Sequence, residues 1–77
     1  MIDNVLVTLI NNGREFDIEL PANVKVELLK PVLVEALSRK GSRPGSNFNL
    51  SSNGNILKDS DTLFSAGVWD GSYLTIA

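Results

Sequence analysis

Chemistry in a 77-residue chain starts with its nucleophiles, bases and ligands, and this chain is short of all three. It contains no histidine and no cysteine. The commonest general base, the commonest metal ligand and the thiolate are therefore missing together. Serines and aspartates are present, but no base stands beside a nucleophile. Asp59, Ser60 and Asp61 gather oxygen ligands in one run. Their spacing does not match a calcium loop, and Asp and Ser in such a run do turn and cap chemistry. Gly41, Gly45 and the Asn53–Asn55 turn make no phosphate loop, because no Gly-rich turn is followed by Lys-Ser/Thr opening a helix. The expectation is no catalytic, cofactor-binding or metal residue, no cofactor, and no enzyme.

What is left is contact chemistry. Phe64 and Trp69 flank a short turn near the C terminus. Exposed aromatics can mark interfaces. The plainer alternative is that Trp69 lies flat over the rim of a small core, as a lid. Glu15, Asp17 and Glu19 alternate along one segment. They either meet a basic partner or form a solvated strand face whose charges discourage edge pairing. Arg39, Lys40 and Arg43 are the one cationic cluster, and a helix end explains them. With a net charge of −2 and scattered cations, a nucleic-acid partner is not expected.

The elements that must position these residues are legible as periodicities. Seventy-seven residues, 43% hydrophobic and 21% charged, fit one globular domain, 1–77. Residues 4–20 read as a β-hairpin around Asn11-Asn12-Gly13. Val5, Val7 and Leu9 point inward on the first strand. Phe16, Ile18 and Leu20 do so on the second, and Pro21 ends it. Val26, Leu29, Leu33, Ala36 and Leu37 form one stripe of an amphipathic helix that stops at Gly41. Pro31 disturbs it, so the reading is a loose or 3₁₀-like start near residues 25–29 and regular helix from about Leu29 to Arg39.

Residues 41–47 read as a loop. Residues 48–52 read as a short strand with Phe48 and Leu50 inward and Asn47, Asn49 and Ser51 outward. After a turn, a second short piece places Leu57 inward. Asp61 or Thr62 caps one 3₁₀ turn, and a last strand buries Leu74 and Ile76. One helix on one face of a mixed sheet of four to five strands, in the order ββαββ, gives an α+β domain. No span of about 20 apolar residues and no leader is visible, so the expected location is the cytoplasm.

That order resembles ubiquitin and the β-grasp fold. "GNILKDSDTLFSAGVWDGSYLTIA" looks like ubiquitin from its fourth to its fifth strand, with Leu57, Leu63, Val68, Leu74 and Ile76 at core positions. Ubiquitin is polar where Phe64 and Trp69 stand, so the resemblance implies at least a partly exposed Trp69. Leu20–Pro21 followed by "VKVELLKPVLVEAL" (Val24 to Leu37) is similar to the YukD/EsaB family, and to the ubiquitin-like domain of EccD-type membrane components. Both belong to type VII secretion systems of Gram-positive bacteria. The resemblance implies a non-conjugating adaptor, cytoplasmic or peripheral to the membrane, whose partners are components of the secretion machinery. A weak homodimer through an edge strand stays open. The sequence ends at Ala77 without Gly-Gly, so conjugation and sulfur carriage are not expected. The alternatives are such a modifier lacking its tail, or an excised domain of a larger membrane secretion component.

Overall fold

The computed structural model describes residues 4–45 and 47–77. Met1, Ile2 and Asp3, within the stretch read for a leader, and Ser46, within the loop read at 41–47, lie outside the described residues. The elements are β1 (Asn4–Asn11), β2 (Arg14–Pro21), α1 (Val26–Arg39), β3 (Leu50–Ser52), β4 (Asn55–Ile56) and β5 (Tyr73–Ile76). The sheet order is β2-β1-β5-β3-β4, with β1 parallel to β5 and the other pairs antiparallel.

Both hairpins close on Asn-Gly. Asn12 (φ 53°) with Gly13 (φ 78°), and Asn53 (φ 52°) with Gly54 (φ 81°), put two positive φ values in each turn. That is the type I′ geometry whose twist matches the flanking strands. It locks the β1–β2 register so that Val5, Val7 and Leu9 face Leu20, Ile18 and Phe16. Helix α1 lies over this inner face. Val26, Leu29, Leu33 and Leu37 are buried against a core that includes Val7, Leu9, Leu50, Leu63, Val68 and Leu74. Ala36, placed on the same stripe by spacing, is half-buried at its margin. Leu57 is buried as expected, and Ile76 is half-buried.

Three expectations need correction. First, α1 starts at Val26 and not at about Leu29, and of the expected loose or 3₁₀-like start only one 3₁₀ bond remains, from the Leu28 amide to the Lys25 carbonyl three residues back (2.9 Å). The Leu29 amide donates to the same carbonyl (3.1 Å). The Lys25 side chain makes no cap bond. Instead the Val26 amide donates to the Asp61 carbonyl (2.8 Å) and the Glu27 amide to the Asp59 carbonyl (3.2 Å). A distant loop thus satisfies the first donors that a helix leaves orphaned. Pro31 is accommodated because it and Glu27, whose carbonyl would have accepted its missing N–H, are both exposed.

Second, the third strand is shorter than residues 48–52. Asn47 has φ 57°, and Phe48 is buried but lies before the strand. Asn49 bonds Ala77 in both directions (2.8 and 2.9 Å). Third, residues 62–67 are not a simple 3₁₀ turn. The Ala66 amide donates to the Thr62 carbonyl four residues back, while the Gly67 amide reaches only to Phe64.

The C-terminal end of α1 is tied to the sheet by a buried side chain. Asn11 Nδ2 donates to the Ser42 carbonyl (2.8 Å) and to Ser42 Oγ (3.1 Å).

Candidate partner-binding site

Phe64 and Trp69 sit on a segment in which most backbone amides are hydrogen-bonded. Thr62 and Ser65 cap each other: the Ser65 amide donates to Thr62 Oγ1 (3.0 Å) and the Thr62 amide to Ser65 Oγ (2.9 Å). Gly67, at φ 75°, ends the turn. The Val68 amide donates to the Leu63 carbonyl and the Gly67 amide to the Phe64 carbonyl, which is a Schellman closure. Leu63 and Val68 are buried and anchor the two ends in the core. The Phe64 amide donates to the Ala22 carbonyl (3.0 Å), so the turn is stitched to the β2–α1 link.

The next four residues clasp β1. Leu6 donates its amide to Asp70 Oδ1 (2.7 Å) and accepts from the Gly71 amide (2.8 Å). Ser72 Oγ accepts from the Trp69 amide (2.9 Å), and the Ser72 amide returns a bond to the Trp69 carbonyl (3.0 Å).

On this rigid backbone the two rings project outward. Each is 62% exposed, and they meet edge to face at 6.3 Å and 76°. An aromatic acting as a lid would lose most of its accessible surface, and Trp69 does not. Beside the rings runs a groove of about 540 Å³ whose apolar floor is Val5, Ala22 and Val68, with Asn4, Asn23 and Asp70 on its rim. The groove combines an apolar floor, two aromatic walls and a carboxylate at the edge. A second hollow of about 370 Å³, by Lys30, Pro31, Val34 and Phe48, offers less. There Lys30 pairs with Asp59 at 2.7 Å.

Sequence reading singled out both aromatics as candidates. It missed Asp70, Val5, Ala22 and Asn23, which come to the site from β1, the β2–α1 link and the 69–72 turn. Their pairing spans up to 64 positions of chain, as between Leu6 and Asp70, and no local pattern announces it.

The other groups singled out are engaged locally. The Asp61 carboxylate accepts from the Lys58 amide (3.0 Å), the turn chemistry expected of that run. Arg39 pairs with Glu35 one turn back, and Arg14 and Lys40 stand over the Phe16 ring at 5.1 and 5.9 Å. Asp17 accepts from Thr8 Oγ1 (2.8 Å), and Glu15, Asp17 and Glu19 are all exposed. The outer sheet face is less polar than Asn47, Asn49 and Ser51 suggested, because Leu6, Ile56 and Tyr73 are each at least half exposed.

A five-stranded mixed sheet grasping one helix makes this a ubiquitin-like domain of the β-grasp class. Residues 5–76 match the family described as WXG100 protein secretion system (Wss), protein YukD, and the chain belongs to that family. Among solved structures it is similar to the ubiquitin-like domain of the Mycobacterium tuberculosis type VII secretion system protein ECCD1. The two are 30% identical with a TM-score of 0.72, over 97% of this chain and 98% of that one. It is also similar to a chain of the MycP5-free ESX-5 inner membrane complex, at 25% identity and a TM-score of 0.72. That match covers 96% of this chain and 20% of the other. Caldiarchaeum subterraneum ubiquitin shares the fold at 23% identity and a TM-score of 0.70, over 96% and 91% of the two chains. No curated protein matches the sequence. Fold and family together point to a non-catalytic accessory domain of a secretion system. No helix among the described residues is long and apolar enough to cross a membrane.

Proposed function

We propose that this chain is a single-domain, non-conjugating adaptor of a Gram-positive type VII secretion system. It works on the cytoplasmic side, peripheral to the membrane, and binds a protein component of the machinery through Phe64, Trp69 and the groove beside them. The observation that carries the contact mechanism is the aromatic pair, two residues each 62% exposed whose own backbone amides are both hydrogen-bonded. Rigid exposed aromatics bind at low entropic cost, because little is left to order on docking. Family membership supplies the machine. The likeness to ECCD1's domain and to a chain of the ESX-5 inner membrane complex supports a membrane-bound partner.

The test is affinity purification of tagged wild-type and Trp69→Ala protein from native cells, membranes included, with mass spectrometry and a denaturing gel. Recovery of secretion-machine membrane components with wild type, and their loss with the variant, is expected. Recovery of an adenylating enzyme, or adducts that survive denaturation, would establish a modifier instead.

A further inference from the structure

The longest unpaired margin of the sheet is β2, eight residues long, whereas the opposite margin, β4, has two. The Asn12–Gly13 turn makes Asn11 and Arg14 the hydrogen-bonded pair next to it. Leu9–Phe16, Val7–Ile18 and Val5–Leu20 then exchange backbone bonds, and Ile10–Glu15, Thr8–Asp17 and Leu6–Glu19 do not. The amides and carbonyls of Glu15, Asp17 and Glu19 therefore point away from β1, presenting donor and acceptor sets at a repeat of ~6.8 Å. Pro21 occupies the next outward-facing position, where its missing N–H costs β1 nothing and where pairing by an added strand must stop.

The side chains around that edge are sorted by face. The carboxylates of Glu15, Asp17 and Glu19 are exposed on the outer face, and none is ion-paired among the described residues. On the inner face Phe16 and Ile18 are half-buried, leaving an apolar ledge. Arg14 and Lys40 flank the Phe16 ring, so cations already occupy the end of that ledge.

Charge selects the occupant. A second copy added antiparallel would set Asp17 against Asp17, or Glu15 against Glu19, and like charges directly opposite destabilise a strand pair. A segment with lysine or arginine at alternate positions sets each cation opposite a carboxylate and turns its intervening residues onto Phe16 and Ile18. The flanking Arg14 and Lys40 exclude the reverse facing. We propose that the β2 edge accepts an extended segment of a partner protein, of the pattern basic–apolar–basic–apolar–basic, as a sixth strand. This surface is separate from the Phe64–Trp69 groove and stands whether or not that groove docks the secretion machine.

The test uses a capped peptide of alternating lysine and valine, titrated into the ¹⁵N-labelled protein, with amide hydrogen exchange at saturation. Exchange at Glu15, Asp17 and Glu19 is expected to slow about tenfold or more, while Phe16 and Ile18, already in the ladder, stay unchanged. A peptide of the same composition in blocks, and one with glutamate for lysine, bind at least about tenfold more weakly, as does the wild-type peptide with the Glu15→Gln, Asp17→Asn, Glu19→Gln protein. Asp17→Pro removes one edge donor and abolishes binding. Should that variant fail to fold, methylating the peptide's edge-facing amides makes the same test from the other side. Unchanged exchange at those three amides overturns the proposal. So does equal binding of the block peptide, or a response centred on Phe64 and Trp69.

Discussion

The Leu6 amide donates to the Asp70 carboxylate at 2.7 Å, across 64 positions of chain. The parallel pairing of β1 with β5 begins only at Thr8 and Tyr73, so at Leu6 there is no strand to accept this donor. Asp70 extends the ladder with a side chain, and in doing so fixes the residue beside it, Trp69.

Asp70→Ala is accordingly expected to cost about 1–3 kcal/mol, because a backbone donor loses a charge-assisted bond and is left to water. The chain has a single tryptophan, so fluorescence reports on position 69 alone. Lower anisotropy in Asp70→Ala, with recovery in Asp70→Asn, is the expected result. Equal anisotropy in all three proteins would mean that the clasp does not hold the ring.

Trp69→Ala separates an interface from a core. With 62% of its surface already exposed, its removal should lower stability by less than about 1 kcal/mol in urea denaturation. Leu63→Ala, a change of a fully buried residue three places before Ala66 in the same turn, should cost about 2–5 kcal/mol. A large loss with Trp69→Ala would make the residue structural and remove the basis of the proposed contact.

The fold was legible because its periodicities are local. Val5, Val7 and Leu9 alternate, Val26, Leu29, Leu33 and Leu37 recur at helical spacing, and Asn-Gly marks both hairpins. Illegible parts depend on partners far along the chain. The start of α1 cannot be read from Lys25, which caps nothing with its side chain, because the capping carbonyls belong to Asp59 and Asp61. Phe48 alternates correctly with Leu50 yet precedes the strand, since Asn47 turns the chain with positive φ. The aromatic pair was visible as two residue types. The groove beside it was not, because β1 and the β2–α1 link supply its floor.

The capping arrangement makes a prediction about Asp59 and Lys30. Their ion pair is short, but the Asp59 side chain is 60% exposed, and such pairs contribute little in water. Asp59→Ala keeps the carbonyl that caps Glu27 and should cost less than about 1 kcal/mol in urea denaturation. A much larger loss would show that the carboxylate, not the backbone, holds the helix start.

Asn11 carries the opposite expectation. It is 4% exposed and bonds both the carbonyl and the hydroxyl of Ser42, so it joins the first hairpin to the chain leaving α1. Asn11→Ala strands the Ser42 carbonyl and should cost about 1–3 kcal/mol. Hydrogen exchange should rise at Gly41 and Ser42, whose amides close the helix end. Asn11→Asp tests the donor directly: a carboxylate cannot donate to a carbonyl, so it should be no better than alanine.

Pro31→Ala is the sharpest test of the corrected helix start. Because α1 is helical from Val26, Pro31 lies in its second turn and withholds a donor from the Glu27 carbonyl. Alanine restores that bond and improves propensity, and proline's restraint on the unfolded chain offsets a part of the gain. The net expectation is a stabilisation of about 1–2 kcal/mol, read as a higher urea midpoint at unchanged slope. A start left loose as far as Leu29, one of the two arrangements that spacing alone suggested, would absorb the proline without strain and make the substitution neutral. The sign and size of that one shift therefore distinguish a helix capped by the 58–61 loop from one that begins only after its proline.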